Sequence, residues 1–357
     1  MKICGIIAEY NPFHDGHAYQ IREAKKISGA DAVVVAMSGH FVQRGEPAIY
    51  DPYLRAGCAL VAGADAVFML PPEASTSSAE GFAAYGVKLL DALGCDSISC
   101  GVEEGFIPEV LPHYLETPEV SEKIKAGLKE GLSYPAAWSN ALGIEKIGPN
   151  SILALQYLKA IRGTDSKMEF YPVERKGSAY DDTEIHEGEY PSASAVRKTL
   201  FESRSTGIIG PDDVMPMIVE AVRAHESELE SYLDCSTEIA QRIRGRRLYY
   251  ETFEEMVTDL KTKDVTYTRI ARVLTHILLG IRKPAGEPMA AQLIGFKDNG
   301  TLGELKERTS VKIISKAANY QDRLESSARA AEIYNQAYWN KYHEEKTDFY
   351  KQNIVKC

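Results

Sequence analysis

Over its first half the chain alternates short apolar runs with stretches whose apolar residues recur every three or four positions. The runs at Ile3 to Ala8, Ala32 to Met37, Ala66 to Leu70, Ser97 to Cys100 and Met168 to Val173 predict buried strands. Helical spacing at Ala18 to Ile27, Tyr53 to Ala62 and Ala79 to Leu93 fills the gaps between them. It also fills Pro108 to Leu132, Ala136 to Leu142 and Asn150 to Arg162, so the last crossover is the longest. Strand and helix in alternation predict an α/β fold, a Rossmann-like doubly wound parallel sheet. After Arg204 the β-type runs stop, and Ser205-Thr206-Gly207 and Gly210-Pro211-Asp212 read as linker punctuation. Helices are expected at Asp212 to Ala224, Cys235 to Tyr249, Thr252 to Lys261, Tyr267 to Leu279 and beyond Ala328. The expectation is therefore an α/β domain over 1–204 and a mainly helical C-terminal domain over 205–357.

Composition narrows the class. With 357 residues and 44% apolar content the chain has room for a sizeable core. No apolar run is long enough for a membrane span and no charged leader precedes the first strand, so a cytoplasmic protein is expected, with no membrane partner. The six cysteines (Cys4, Cys58, Cys95, Cys100, Cys235, Cys357) form no CxxC pair, so neither a zinc site nor a disulfide framework is expected. The net charge of −10 is unevenly spread: residues 242–316 carry 15 basic and 9 acidic side chains. A locally basic region in an acidic chain suits RNA, and equally a solvated helical surface.

Candidate chemistry concentrates in the turn after the first strand. Asn11 and Pro12 end the strand, and His14, Gly16 and His17 sit at the mouth of the helix that follows. Free N–H groups at a helix start favour an anion, Gly16 admits a ligand close to the backbone, and two imidazoles can donate to phosphoryl oxygens as charge develops. A helix start with one capping imidazole is the other reading. The position after the first strand of an open α/β sheet is where such folds bind ligands.

Later segments add groups that could converge on the same place. Gly101 follows the fourth strand, and Glu103 is a ribose partner or a solvated charge. Asn150 reads first as a helix N-cap. Arg175 and Lys176 follow the fifth strand beside Gly177, as phosphate ligands or surface charge. Ser192-Ala193-Ser194-Ala195-Val196-Arg197 is a serine-capped helix start with a base in its first turns, which runs against the helix dipole. Gly39 to Pro47 is rich in glycine and polar groups; its Gln43 and Arg44 could grip a small carboxylate or a nucleic-acid backbone, or belong to a mobile surface loop. In the helical half, Arg242, Arg244, Arg246, Arg247, Lys261, Lys263, Arg269 and Arg272 are interleaved with Tyr249, Tyr250 and Tyr267, a pattern that phosphates and unpaired bases could use.

The HxGH loop resembles that of the HIGH-type nucleotidyltransferases. Glu9-Tyr10-Asn11-Pro12-Phe13-His14-Asp15-Gly16-His17, Ser38 to Ala48, Ser78 to Ala83, Gly148-Pro149-Asn150 and Ser192 to Arg197 are together similar to the tRNA(Met) cytidine acetate ligase family. The resemblance implies ATP, accompanied by Mg²⁺, bound by the loop Ile7-Ala8-Glu9-Tyr10-Asn11-Pro12-Phe13-His14-Asp15-Gly16-His17 together with Gly101, Asn150, Arg175, Lys176, Ser192 and Ser194. It implies catalytic roles for His14, His17 and Arg197, with the serine-capped helix as counterpart of the synthetase KMSKS loop. Acetate and elongator tRNA(Met) are the implied substrates, with the basic residues of the helical half on the tRNA; no resident metal and no stable protein partner are implied. One departure stands out: Asp51-Pro52-Tyr53 occupies a place where that family usually has a basic residue. The rival functions are a nucleotidyltransferase acting on a phosphorylated small metabolite and a noncatalytic RNA- or nucleotide-binding protein.

Overall fold

A computed structural model of the chain describes residues 1–103, 117–130, 132, 134–143, 148–176, 191–283 and 290–357. In the first half the expected elements form as β1 (Ile3–Ala8), α1 (Asp15–Ser28), β2 (Ala32–Ser38), α2 (Pro52–Ala62), β5 (Ala66–Leu70), α4 (Ala79–Ala92) and β6 (Ser97–Val102), with an unexpected short hairpin, β3 (Phe41–Val42) and β4 (Glu46–Pro47), and an unexpected short helix, α3 (Pro72–Ser75). Then come α5 (Pro118–Lys129), α6 (Tyr134–Leu142), α7 (Pro149–Gly163), β7 (Glu169–Glu174) and α8 (Ala193–Glu202). The expected helix start at Pro108, with Glu104 and Gly177, lies outside the described residues.

Strands β5, β2, β1, β6 and β7 lie side by side in that order, all parallel. The chain winds outward from β1 through β2 to β5, then returns across to β6 and winds the other way. The reversal leaves a crevice beside β1 and β6 at their carboxyl ends. Strands β5, β2, β1 and β6 are buried on both faces, which is why they read as largely apolar runs, while β7 at the edge is mostly half-exposed. On one face Cys4, Ile6, Val33 and Val35 meet Ile21 and Ala24 of α1 and Ala59 and Leu60 of α2. On the other, Ile3, Ile7 and Val34 meet Phe82, Val87 and Leu90 of α4 and Ala154 and Tyr157 of α7.

The second half is mainly helical, with α9 (Pro211–Ala224), α10 (Thr237–Arg244), α11 (Phe253–Leu260) and α12 (Tyr267–Leu279) around a core that includes Ile218, Phe253 and Leu274. The expectation that strands stop after Arg204 is corrected. β8 (Ala290–Phe296) pairs antiparallel with β5, and after α13 (Asn299–Arg308) both β9 (Lys312–Ile314) and, beyond α14 (Glu325–Tyr342), β10 (Val355–Lys356) pair with β8. The C-terminal stretch thus extends the N-terminal sheet instead of standing apart from it. Helix α10 also ends at Arg244, short of the expected Tyr249; Gly245 is its C-cap and Leu248 takes φ +56°.

The helical region packs against the loops at the strands' carboxyl ends. Gly45 (φ +77°) lies so close to α12 that a Cβ there would come within 2.3 Å of the Arg272 nitrogen, and Thr275 Oγ1 donates to the Gly45 carbonyl at 2.7 Å. His276 is buried between the carbonyls of Leu233 (2.9 Å) and Thr76 (3.0 Å).

Candidate active site

The crevice beside β1 and β6 is a cleft of about 190 Å³. Its walls include Ile7, Ala8, Glu9, Tyr10, Asn11, His14, Gly16 and His17 from the first loop, Gln43 and Arg44 from the hairpin, Gly101, Asn150, Arg175 and Lys176, and Ser192, Ser194 and Arg197. Segments far apart in the chain therefore converge as their residue types suggested. Pro12, Phe13 and Asp15 do not line it; Asp15 is exposed.

The capping and anion-binding readings of the histidine pair turn out to be compatible. His14 is the N-cap of α1: its Nδ1 accepts the Gly16 N–H at 3.1 Å, while its own N–H donates to His17 Nδ1 at 3.3 Å. The rings stack with centroids 3.8 Å apart, and His17 also packs on Tyr10 at 4.8 Å. With both Nδ1 atoms accepting, each ring's proton belongs on Nε2, so both imidazoles keep an Nε2–H donor. Burial, with help from the Arg175 charge, lowers His14 to about 4, and burial beside His14 holds His17 well below its ordinary value. At neutral pH they are neutral donors, not cations.

A second helix mouth faces the first. Ser192 caps α8 by accepting the Ala195 N–H at 3.0 Å, and Arg197 reaches across to donate to the Asn11 carbonyl at 2.5 Å and to Ser194 Oγ at 3.1 Å. Asn11 is held in turn: its Oδ1 accepts the Ile49 N–H at 2.7 Å. The Arg175 side chain crosses Gly101, where a Cβ would lie 3.4 Å from its Cγ, and Lys176 Nζ sits 4.9 Å from the Tyr19 ring centroid.

Two expectations are corrected. Asn150 is not the N-cap of α7; Gly148 is, and Glu103 serves the orphan N–H groups instead. The Glu103 carboxylate accepts from Asn150 N (3.1 Å), Asn150 Nδ2 (2.8 Å) and Ser151 N (2.7 Å). A Cβ on Gly148 would come within 2.1 Å of the Glu103 carboxyl carbon. Burial raises the Glu103 carboxyl, but the hydrogen bonds from Ser151 and Asn150 outweigh it and hold it below the usual range. Glu103, which also accepts from the Ser151 hydroxyl, is thus a structural cap and not a solvated charge.

In the helical half, five of the eight basic residues are engaged within the chain. Arg244 is bidentate to Glu230, Arg246 pairs with Asp259 at 2.6 Å and Arg272 with Asp234 at 2.9 Å. Arg242 donates to the carbonyls of Asp259 and Lys261, and Arg269 to that of Asp234. Arg247, Lys261 and Lys263 are exposed, with no side-chain partner among the described residues.

Three features escaped the sequence reading. Arg55, 1% exposed, donates to the carbonyls of Tyr50 (2.9 Å), Glu9 (2.6 Å), Ser38 (3.1 Å) and Gly39. Burial lowers it to about 10, so it stays charged and pins the ends of β1 and β2. The polar atoms Tyr10 Oη, Tyr157 Oη and Gln43 Nε2 are buried on the cleft residues without a hydrogen-bond partner. Asp51, the departure noted above, caps α2 by accepting from Tyr53 and Leu54 N–H (3.0 Å each) and pairs with Lys346 at 2.8 Å. Only the tertiary structure could reveal the first and third, since each joins residues remote in sequence.

The family model for HIGH Nucleotidyl Transferase matches residues 1–348. The tRNA(Met) cytidine acetate ligase of Acetivibrio thermocellus is 33% identical, covering 99% of this chain and 100% of that protein. The chain belongs to that family. The ligase of the same name from Thermoanaerobacter sp. is 34% identical over 95% of this chain and 96% of its own. Among solved structures, apo Thermotoga maritima TmcAL superposes with a TM-score of 0.85 at 23% identity, covering 100% of this chain and 99% of that one. The same protein has also been solved bound with alpha-thio ATP, with an equal TM-score at 22% identity. Membership of the family agrees with the fold derived above, a mostly parallel sheet flanked by helices whose first βα loop carries HxGH. Among the described residues no helix is long and apolar enough to cross a membrane, and no group of three or more His, Cys, Asp or Glu could hold a metal ion.

Proposed function

We propose that the protein is an ATP-dependent tRNA(Met) cytidine acetate ligase, which activates acetate as acetyl-adenylate and transfers the acetyl group to the wobble cytidine of elongator tRNA(Met). The observation that carries this reading is the pair of helix mouths sharing one cleft: Nε2–H donors of His14 and His17 on one side, Ser192, Ser194 and Arg197 on the other. In this reading ATP lies along the β1–α1 loop over Gly101, near Asn150, with Arg175 and Lys176 beside its phosphates. Mg²⁺ enters as the counter-ion of the nucleotide. Acetate, held from the hairpin by Gln43 and Arg44, attacks the α-phosphorus.

The chain's own groups then have one task, which is to align the reactants and neutralise pyrophosphate as it leaves. Neutral imidazoles suit it, because they donate hydrogen bonds that strengthen as oxygen charge grows and cost no proton transfer. Arg197 follows the departing charge with a planar fork of donors. The tRNA lies on the helical region in this reading, and the work is cytoplasmic.

The test is incubation of purified protein with ATP, Mg²⁺, labelled acetate and bulk tRNA, followed by digestion and mass spectrometry. N4-acetylcytidine that requires both ATP and acetate is the expected product. Its absence, from a preparation that binds ATP and with the cognate tRNA present, would overturn the reading in favour of a metabolite nucleotidyltransferase.

A further inference from the structure

We infer that the Glu9 carboxylate is the base that receives the proton of the cytosine amine during acetyl transfer, an assignment that rests on the ligase reading above. Glu9 stands just past β1 and lines the cleft. It is fixed at two points: its carbonyl accepts from buried Arg55 at 2.6 Å, and its Oε1 accepts the Gln43 backbone N–H at 2.8 Å. Its Oε2 accepts no hydrogen bond from the described residues, and Glu9 pairs with no cation among them. The carboxylate is thus held by Gln43 N–H on one oxygen, turned toward the hairpin, and unengaged on the other among the described residues.

A carboxylate so placed repels phosphates, which argues against a part in holding ATP. It suits a group with a proton to give. Gln43, whose backbone N–H holds Glu9, also lines the cleft, and its Nε2 is a buried donor with no partner among the described residues. A side-chain donor and a carboxylate lining one cleft match what an acyl carbon under attack by an amine requires. The donor holds the carbonyl oxygen as it turns negative, and the carboxylate takes the amine's proton.

Cytosine makes that base necessary. The lone pair of its exocyclic nitrogen is delocalised into the ring, so the nitrogen attacks well only as it loses a proton. In the step, N4 forms a bond to the acetyl carbonyl carbon, and the tetrahedral centre collapses by breaking the carbon–oxygen bond to phosphate. AMP leaves with that electron pair, and one N4 proton passes to Glu9 and from it to water. No oxidant, reductant or covalent acyl-enzyme is involved.

Glu9→Gln separates the two half-reactions, because the amide can still accept the Gln43 N–H but cannot act as a base. The first step is read as acetate-dependent exchange of pyrophosphate into ATP, which also reports that the variant is folded. The second is read as single-turnover acetylation of tRNA by enzyme supplied with prepared acetyl-adenylate. Transfer slowed by roughly 10²–10⁴-fold relative to whatever change the variant makes in exchange is expected. Glu9→Asp, which keeps a base at shorter reach, should recover part of the loss. Equal loss of both reactions would overturn the assignment and place Glu9 on the nucleotide, and so would unaltered transfer. If the wild-type chain itself shows no acetate-dependent exchange, the ligase reading fails, and this assignment with it.

Discussion

Arg197 directs its guanidinium to a carbonyl and a hydroxyl at the rim of the cleft, whereas Arg244, Arg246 and Arg272 in the helical region each lie against a carboxylate of their own chain. Buried Arg55 goes further than either, with every assigned hydrogen bond given to a main-chain carbonyl. The comparison teaches that a stretch with six more bases than acids, as over 242–316, is not thereby a stretch with six cations to offer a partner. Much of that charge closes turns and ties helices together. What a cation does depends on whether its partner is an acid, which neutralises it, or a dipole, which only aims it.

The largest effect separating the two regions is expected at the histidines. Replacing both His14 and His17 by Ala should lower acetate-dependent pyrophosphate exchange by about 10³-fold or more, since each removes a donor to the reacting phosphates. Retention of tRNA on filters should stay at the wild-type level. Loss of tRNA binding together with exchange would mean that cleft and helical region are not separable sites.

Next in size is a contrast in stability. Arg55→Met leaves three carbonyls at the ends of β1 and β2 and that of Tyr50 without their donor and should cost at least about 3 kcal/mol in urea unfolding, because hydrogen bonds to a charged donor are each worth roughly 1.5–3. Arg244→Ala, which breaks a surface pair, should cost under about 1 kcal/mol. Equal losses would erase the distinction drawn between the two kinds of arginine.

Acid sharpens the picture of the neutral imidazoles. Burial lowers His14 to about 4 and His40 to about 3, so the folded chain binds fewer protons there than the unfolded chain. Their contribution is fully present above the unfolded value of 6.5 and declines as pH falls through 5, levelling only below the folded values. Urea midpoints should therefore drop between pH 6.5 and 4, by an amount on the order of 1–2 kcal/mol per site at pH 5. His14→Asn, which retains a capping side chain, should flatten part of that slope.

The smallest effect tests the cations without assigned partners. Replacing Arg247, Lys261 and Lys263 by Ala should weaken tRNA binding several-fold and reduce its logarithmic salt dependence by about 2, whereas Arg244→Ala should leave that slope unchanged. An unaltered slope in the triple variant would put the phosphate contacts elsewhere on the molecule.

Strands β1, β2, β5 and β6 were legible because they are buried on both faces and stand out as apolar runs, whereas β7, at the sheet's partly exposed end, was marked only by its apolar residues. The cleft was legible because its groups sit at strand ends and helix starts, positions that a sequence marks with Gly, Asn, Ser and Pro. Strand β8 was not, since Ala290-Ala291-Gln292-Leu293-Ile294-Gly295-Phe296 contains few β-branched residues and gains its strand character from pairing with β5. The Glu103 cap and the Arg55 clamp escaped for a related reason: a charged side chain in a sequence looks like surface until the carbonyls or N–H groups it serves are known. The engagement of five of the eight basic residues of the helical half escaped in the same way, because the acids and carbonyls that meet them, such as Glu230, Asp259 and the Asp234 carbonyl, lie in other helices or turns.

The late arrival of β8 bears on how the protein is made. During synthesis the outer edge of β5 emerges early, with its row of main-chain donors and acceptors ready to pair, and its rightful neighbour at 290–296 is translated only after the entire helical region. A nascent chain paused between the two presents an open parallel edge to any other strand it meets. The helical region must therefore fold first, or a chaperone must shield that edge, and ribosome stalling before Ala290 is where aggregation of this chain should begin.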